Sequence, residues 1–411
     1  MEKIDALISL DLGTSSIHGV IAKINEENKI EVLSADTYAS DGVKSGVISD
    51  IGAAEFTVKK FLSKAEEEFN VENIDMLCAV RGALIEVNNA NTRMKIDEEE
   101  GGVVTEQTVA ELMERLEEGH KIPDTKEIID IIPQQYKIDE QVVQNPIRMS
   151  GKHLELTALV ISGTKSNMSN IKQATGGDKL RYGYSSISDT LVSNDDKDLG
   201  CILVDIGGMT TGIVVYSEGK LKYSFELSFG SDYITRDIAA RLKITKKEAT
   251  NIKEKYGYVL EDLITENTAF EYSVPGNKTQ KYTVRDLVDI IKPQVELQLD
   301  EIAKVFKKKG IVPGEFVGGF ILTGGGSLLR GMPEAFSKYF EAVTKCANFT
   351  DEDFVCYDEN VINSQVYTTA LAVLKNNMKN LSTSSISERK IRKQKGPGFV
   401  GTMRSWFSNF K

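Results

Sequence analysis

Cysteine and histidine are scarce in this chain, 4 of the first and 3 of the second among 411 residues. Cys78, Cys201, Cys346 and Cys356 have neither metal-ligand spacing nor the pattern of a disulfide framework. Cys78 and Cys201 lie inside apolar runs, which makes them reduced core thiols and suits a reducing compartment. His18, His120 and His153 are scattered without partners at ligand spacing and read as structural or surface residues. No segment reaches the run of about 18 apolar residues needed to span a bilayer, so any membrane contact is expected to be peripheral. A basic excess is missing too. With 50 Lys and Arg against 61 Asp and Glu, the formal net charge is -11, which argues against a nucleic-acid partner. The first residues, Met1 to Ala6, enter a strand with no basic region, apolar stretch or cleavage site, so export by a signal peptide is not expected.

What the chain does have is enough apolar residues, 41%, to build real cores, and enough length for two to four compact units. It also has three glycine turns, each leaving an apolar strand. These are Asp11-Leu12-Gly13-Thr14-Ser15-Ser16, Asp205-Ile206-Gly207-Gly208-Met209-Thr210-Thr211, and Ile321-Leu322-Thr323-Gly324-Gly325-Gly326-Ser327. Glycine lacks Cβ, so such a turn can bend sharply and aim backbone N–H groups at phosphate oxygens, with Ser and Thr hydroxyls as further donors. A carboxylate there would repel phosphate, so Asp11 and Asp205 make most sense facing a Mg²⁺ ion through its water ligands. One Asp-x-Gly after a strand is equally a hairpin signature. Three in order at domain-scale spacing point to an ATP clamp used by two similar halves.

These turns resemble the two phosphate turns and the adenosine turn of the superfamily that holds actin, the 70-kilodalton chaperones and the sugar kinases. Within it the chain resembles the FtsA family of bacterial cell-division proteins, through Leu7 to Ser16, Ile132-Pro133-Gln134-Gln135-Tyr136-Lys137-Ile138-Asp139, Val204 to Thr211, Leu322 to Met332 and the C-terminal tail. The resemblance implies an α/β fold of duplicated, actin-like ribonuclease-H-type domains around a nucleotide cleft, with ATP and Mg²⁺ as ligands and an inserted 1C-type subdomain.

Local patterns agree with a duplication. Ala6 to Leu12, Ile17 to Ile24 and Ile30 to Ala39 read as a strand meander followed by a helix over Ala53 to Phe69. Cys201 to Asp205, Thr211 to Ser217 and Leu221 to Leu227 repeat the strands, and Tyr233 to Leu242 repeats the helix. Between the halves, Thr105 to Glu118 is an amphipathic helix and Ile128 to Ile132 and Leu154 to Ile161 are strands; this stretch is either a loop region of the first half or a small subdomain. On the family pattern, residues 1–83 and 163–199 form subdomain 1A, 84–162 the 1C-like insertion, 200–229 and 309–357 subdomain 2A, and 230–308 subdomain 2B. Residues 358–376 return to 1A, 377–397 form a disordered basic linker and 398–411 an amphipathic membrane-targeting helix.

The resemblance also implies roles. Lys253 and Glu254, on a charged helix from Thr245 to Tyr256, would reach ribose and adenine, although such runs are commonly solvated faces. The region ending in a long helix from Val284 to Lys308 would receive the C-terminal tail of the tubulin-like protein FtsZ, and the 1C-like insertion would contact neighbouring protomers and other division proteins. Two departures stand in the second phosphate turn, where Met209 and Gly212 replace a glycine and an Asp common in the family. They leave hydrolysis in doubt. A water-orienting group would come from Tyr184 to Ser193, where Asp189 is the candidate, against the plainer reading of a solvated Asp.

After Leu374 the composition turns to Asn, Ser, Thr, Lys and Arg, with Arg389, Lys390, Arg392, Lys393 and Lys395 packed together. Past Gly396-Pro397-Gly398, the residues Phe399, Val400, Met403, Trp406, Phe407 and Phe410 recur at helical spacing. Such a segment lies in a membrane interface, and neighbouring basic residues favour an anionic surface; the alternatives are a docked core helix or a partner-binding peptide. A small-molecule kinase of the superfamily would need a substrate pocket and a general base, and has no use for this tether. A PilM-like pilus-assembly scaffold shares fold and insertion but not the expected terminal helix. The expectation is therefore an ATP-binding protein with weak or absent turnover that forms homopolymers on the cytoplasmic face of the membrane and tethers the FtsZ ring.

Overall fold

The computed structural model describes residues 3–82, 84–96, 102–274, 278–349 and 354–383. Strand β1 (Ile4–Leu12) pairs antiparallel with β2 (Ser16–Ile24), which pairs antiparallel with β3 (Ile30–Ala39). A short ribbon of β4 (Val43–Lys44) and β5 (Val47–Ile48) leads into α1 (Ile51–Glu68). The Asp50 side chain caps that helix at the Ala53 N–H, and Ala54, Val58, Phe61, Leu62 and Ala65 form its buried stripe. β6 (Val71–Val80) then returns parallel to β1.

Next comes an inserted unit of β7 (Ile85–Lys95), α2 (Glu106–Gly119), β8 (Lys126–Ile138), β9 (Gln141–Val143) and β10 (His153–Thr164), its sheet ordered β7-β10-β8-β9. α2 closes one face of that sheet, where Leu112 and Leu116 pack with Leu154, Leu156 and Val160. Pro133 has no N–H to give a central strand, and the β8–β10 register slips beside it, between Thr157 and Ala158. The slip leaves Gln134 out of the pairing. Its Oε1 accepts the Leu221 N–H at 2.9 Å while Gln135 Oε1 accepts from Lys220 Nζ at 3.0 Å, tying the insertion to the second half.

The chain re-enters the first half through α3 (Lys165–Thr175), β11 (Lys179–Tyr182), α4 (Gly183–Leu191) and α5 (Asn194–Leu199). The second half repeats the plan, with β12 (Cys201–Ile206), β13 (Thr211–Ser217) and β14 (Lys220–Leu227) as an antiparallel meander. Helices α6 (Asp232–Leu242) and α7 (Lys246–Tyr256), the hairpin β15 (Ala269–Val274) and β16 (Lys278–Thr283), and α8 (Val284–Lys309) follow. β17 (Phe320–Thr323) lies parallel to β12, and after α9 (Met332–Phe340), β18 (Thr344–Cys346) lies parallel to β17. β19 (Val355–Cys356), α10 (Glu359–Ile362) and α11 (Thr368–Thr383) carry the chain back across to the first sheet.

The two large sheets run β11-β6-β1-β2-β3-β19 and β14-β13-β12-β17-β18. In each a three-strand meander is extended by parallel strands beside its first member. Alternating side chains face opposite ways. Leu7, Val20, Leu77, Leu203, Val214 and Ile321 point into a shared core with α4 and α11 between the sheets. Ile8, Leu10 and Ile21 face α1 and α3, and Ile202, Val204 and Ile213 face α6, α8 and α9. Burial pushes the Cys78 and Cys201 thiols up to about 12, so both are inert core groups.

One boundary moves. The linker expected from residue 377 begins inside α11, which stays helical to Thr383, with Met378 packed on the shared core. The remainder of that expected linker, and the expected helix of Phe399, Val400, Met403, Trp406, Phe407 and Phe410, lie outside the described residues. Among the described residues no helix is long and apolar enough to cross a membrane.

Candidate nucleotide cleft

Each glycine turn sits at the carboxyl end of a central strand: the first between β1 and β2, the second between β12 and β13, the third after β17. A right-twisted sheet with parallel neighbours splays its strand ends there and leaves a crevice. Duplication brings two such crevices face to face.

The turns touch one another. Gly208 lies against the Ser15 side chain with no room for a Cβ, and Ser15 Oγ donates to Asp232 Oδ2 at 2.9 Å, linking the first turn to the start of α6. The Ser231 and Asp232 N–H groups donate to the Gly207 and Gly208 carbonyls at 2.9 and 2.7 Å, pinning the second turn to the same helix. Gly324, at φ 81°, presses its Cα against the Asp205 carboxylate and the Ile206 backbone, and Gly326 lies against Ile206, seating the third turn on the second. Within the turns, Gly13 lies close to the Ser16 carbonyl and the Gly207 N–H donates to the Thr210 carbonyl at 2.9 Å. Thr14 Oγ1 accepts the Ser45 N–H at 2.8 Å.

Not every expected side chain faces this meeting point. Thr211 is fully buried, its hydroxyl donating to the Phe229 carbonyl at 2.6 Å and accepting from Gln298 at 2.8 Å. The Ser327 hydroxyl is spent on the Gly324 carbonyl at 2.7 Å, while Gly325 is the exposed member of its turn. Met209, which stands where the family commonly has a glycine, turns inward to 9% exposure with its sulfur 3.2 Å from an Arg236 nitrogen. Where Gly212 omits a carboxylate, the Tyr184 ring occupies the space a Cβ would need. Asp189 is not brought to the turns: its carboxylate meets Lys197 at 3.4 Å and the Tyr216 hydroxyl at 3.3 Å, at the opposite end of β13. Lys253 does turn inward, its ammonium 3.3 Å from the Ser231 carbonyl, while Glu254 is exposed.

The structure adds residues with no local signal in the sequence. Lys246 donates to Asp232 Oδ2 at 2.6 Å, and with the Ser15 bond this outweighs burial and holds the Asp232 carboxyl below its ordinary range. Arg81, just past β6, bridges the two turn carboxylates. One terminal nitrogen lies 2.5 and 2.6 Å from the two oxygens of Asp11, and the other 2.6 Å from Asp205 Oδ2. Burial alone would weaken the guanidinium's charge, but Asp11 and Asp205 raise its pKa further still. Burial also raises the Asp205 carboxyl, against the pull of Arg81. Asp11 and Asp205, expected to face Mg²⁺ through water, therefore face a guanidinium. This arrangement does not fit a Mg²⁺ ion directly between the two carboxylates, because the Arg81 guanidinium, which offsets one of their two charges, already pairs with both.

Two duplicated α/β halves, meeting at glycine turns over a polar floor, define an actin-like ATPase fold. Solved structures share it. The PilM-PilN type IV pilus biogenesis complex matches with TM-score 0.59 and 15% identity, covering 90% of this chain and 98% of that one. MreB5 of Spiroplasma citri bound to ADP matches with TM-score 0.54 and 16% identity, covering 92% and 99%. A family model for the cell division protein FtsA matches residues 202–372, and one for the SHS2 domain inserted in FtsA matches residues 82–162. The cell division protein FtsA of Bacillus subtilis (strain 168) is 27% identical over 339 residues, 81% of this chain and 76% of that protein. That of Neisseria meningitidis serogroup B (strain ATCC BAA-335 / MC58) is 25% identical over 425 aligned residues that take in 100% of both chains. The chain belongs to the FtsA family of cell-division proteins.

Proposed function

We propose that this protein binds ATP between its glycine turns, polymerises on the cytoplasmic face of the membrane and tethers the FtsZ division ring there. The observation that carries the ATP reading is the convergence of the three turns, with Gly208 on Ser15 and Gly324 on Asp205, beside the inward-turned Lys253. In this reading the nucleotide sets the angle between the halves, and that angle decides whether protomers stack into a filament. Turnover is slow or absent, since the Tyr184 ring stands at Gly212 and Asp189 is engaged elsewhere.

The remaining assignments belong to the same proposal. The subdivision into 1A, 1C, 2A and 2B follows the family pattern. The FtsZ tail docks on the unit built from β15, β16 and α8, and other division proteins meet the inserted sheet. The terminal segment with Trp406 and Phe407 inserts shallowly into an anionic leaflet, and polymerisation multiplies such weak anchors. Co-sedimentation with anionic liposomes, comparing the full chain with one ending at Lys395, each with and without ATP, tests it. The full chain should pellet with lipid, more strongly with ATP, and the shortened chain should stay in solution. Both chains remaining in solution under every condition would overturn the membrane scaffold and favour a soluble kinase-like role.

A further inference from the structure

We infer that Arg81 takes the place expected of a divalent cation between the two turn carboxylates, so that ATP binding in this cleft does not depend on Mg²⁺. The inference rests on the nucleotide reading above. Its first support is that the position of Arg81 is built. Gly82, at φ 117°, turns the chain sharply after β6, and at Gly183 a Cβ would come within 2.9 and 3.0 Å of the Arg81 stem, so only glycine lets that stem pass α4 without displacement. The Tyr184 ring lies 5.9 Å from the guanidinium carbon, and its hydroxyl donates to Glu226. Arg81 keeps a side-chain exposure of 16%, compared with 5% and 3% for Asp11 and Asp205. Of the three side chains in this cluster, Arg81 is therefore the least enclosed.

Charge and coordination chemistry give the second support. Around the cleft floor Asp11, Asp205, Asp232 and Glu226 face Arg81, Lys246 and Lys253, so the cations fall one charge short of the carboxylates. Two bare carboxylates in phosphate turns would repel a triphosphate, and a bound cation is the general remedy. Mg²⁺ provides it only when surrounded by near-octahedral oxygens, several of them waters. A guanidinium provides it in a plane, with five N–H donors that suit carboxylate and phosphate oxygens alike and no proton to lose at any working pH. It can hold the Asp pair on one side and donate to phosphate on the other.

Equilibrium dialysis of radiolabelled ATP against the full-length protein, in excess Mg²⁺ and in excess EDTA, tests the inference. The two dissociation constants should agree within about threefold, a small difference on the affinity scale. In EDTA, Arg81→Ala should bind at least about tenfold more weakly, the scale of losing a charge-assisted contact, and should recover when Mg²⁺ is added. Should Arg81→Ala fail to fold, Arg81→Lys keeps a cation and should retain binding in EDTA, and the unmodified protein decides the matter alone. Binding by the unmodified protein that weakens about tenfold or more without Mg²⁺ would overturn the inference while leaving the nucleotide reading intact. Absence of binding in both conditions would overturn the nucleotide reading, and the inference with it.

Discussion

Lys253 carries a charge that its surroundings disfavour. Burial lowers its pKa from the ordinary lysine value, Asp232 and Glu254 only partly oppose this, and Lys246 adds to it. A lowered value means that the folded protein holds this proton less tightly than the unfolded chain does. The ammonium lies at the Ser231 carbonyl beside the second turn, nearer to where phosphate would sit than the ribose position the family pattern implies. A phosphate there would reverse the balance and raise the pKa, so nucleotide binding should take up protons at alkaline pH, between the lowered and the restored values. Calorimetry in two buffers of different ionisation enthalpy reads this directly. Uptake should be a fraction of a proton in the native protein and absent in Lys253→Met; equal heats in both buffers for the native protein would contradict a phosphate at Lys253.

Among the elements, α11 shows how burial can override local preference. Residues after Leu374 are rich in Asn, Ser and Thr, which favour caps and turns over helix interiors. The helix nevertheless continues to Thr383, since the apolar face running through Ala370, Leu371, Val373 and Leu374 extends to Met378 on the core shared by both halves. Ending the chain at Leu374 should therefore destabilise the protein relative to one ending at Thr383. Full burial of a methionine is worth about 1.5–3 kcal/mol, and the partly buried Met378 contributes less than that, enough for urea denaturation to show a shifted midpoint. Coincident midpoints would mean that the last turns of α11 hold nothing in place.

At the scale of the whole molecule, the two sheets share a core behind the cleft and are latched across its front. The latch is Ser15 of the first half on Asp232 of the second, with Lys246 on the same carboxylate oxygen. Because the Asp232 pKa is lowered in the fold, the latch stabilises at neutral pH and weakens as pH falls through that lowered value, below the ordinary carboxylate range. Asp232→Asn, nearly the same size, removes the charge at every pH. Small-angle scattering of the nucleotide-free variant at neutral pH should show a larger radius of gyration than the native protein, an opening that the native protein approaches only in acid. Identical curves at neutral pH would leave the closed shape to the shared core, the Arg81–Asp205 pair and the Gln134 and Gln135 contacts.

Much of this architecture was legible in the amino-acid order because it is local. Meander strands, the helices over α1, α2 and α6, and the glycine turns depend on spacings of a few residues, so the α/β duplication and the three-turn cleft could be read without coordinates. Side-chain direction could not. Whether Thr211 and Ser327 point at a ligand or into the core, whether Met209 crowds the turn, and whether Asp189 reaches the cleft all depend on what packs behind them. Arg81 was the least visible. It lies 70 residues from Asp11 and 124 from Asp205, an isolated arginine at a strand end, and only the stacking of β6 beside β1, together with the approach of the second half, puts its guanidinium between the two carboxylates. The sequence by itself determined which elements form and where the glycine turns stand. The tertiary structure alone decided which charges meet, because ion pairing acts through distance in space and takes no account of separation along the chain.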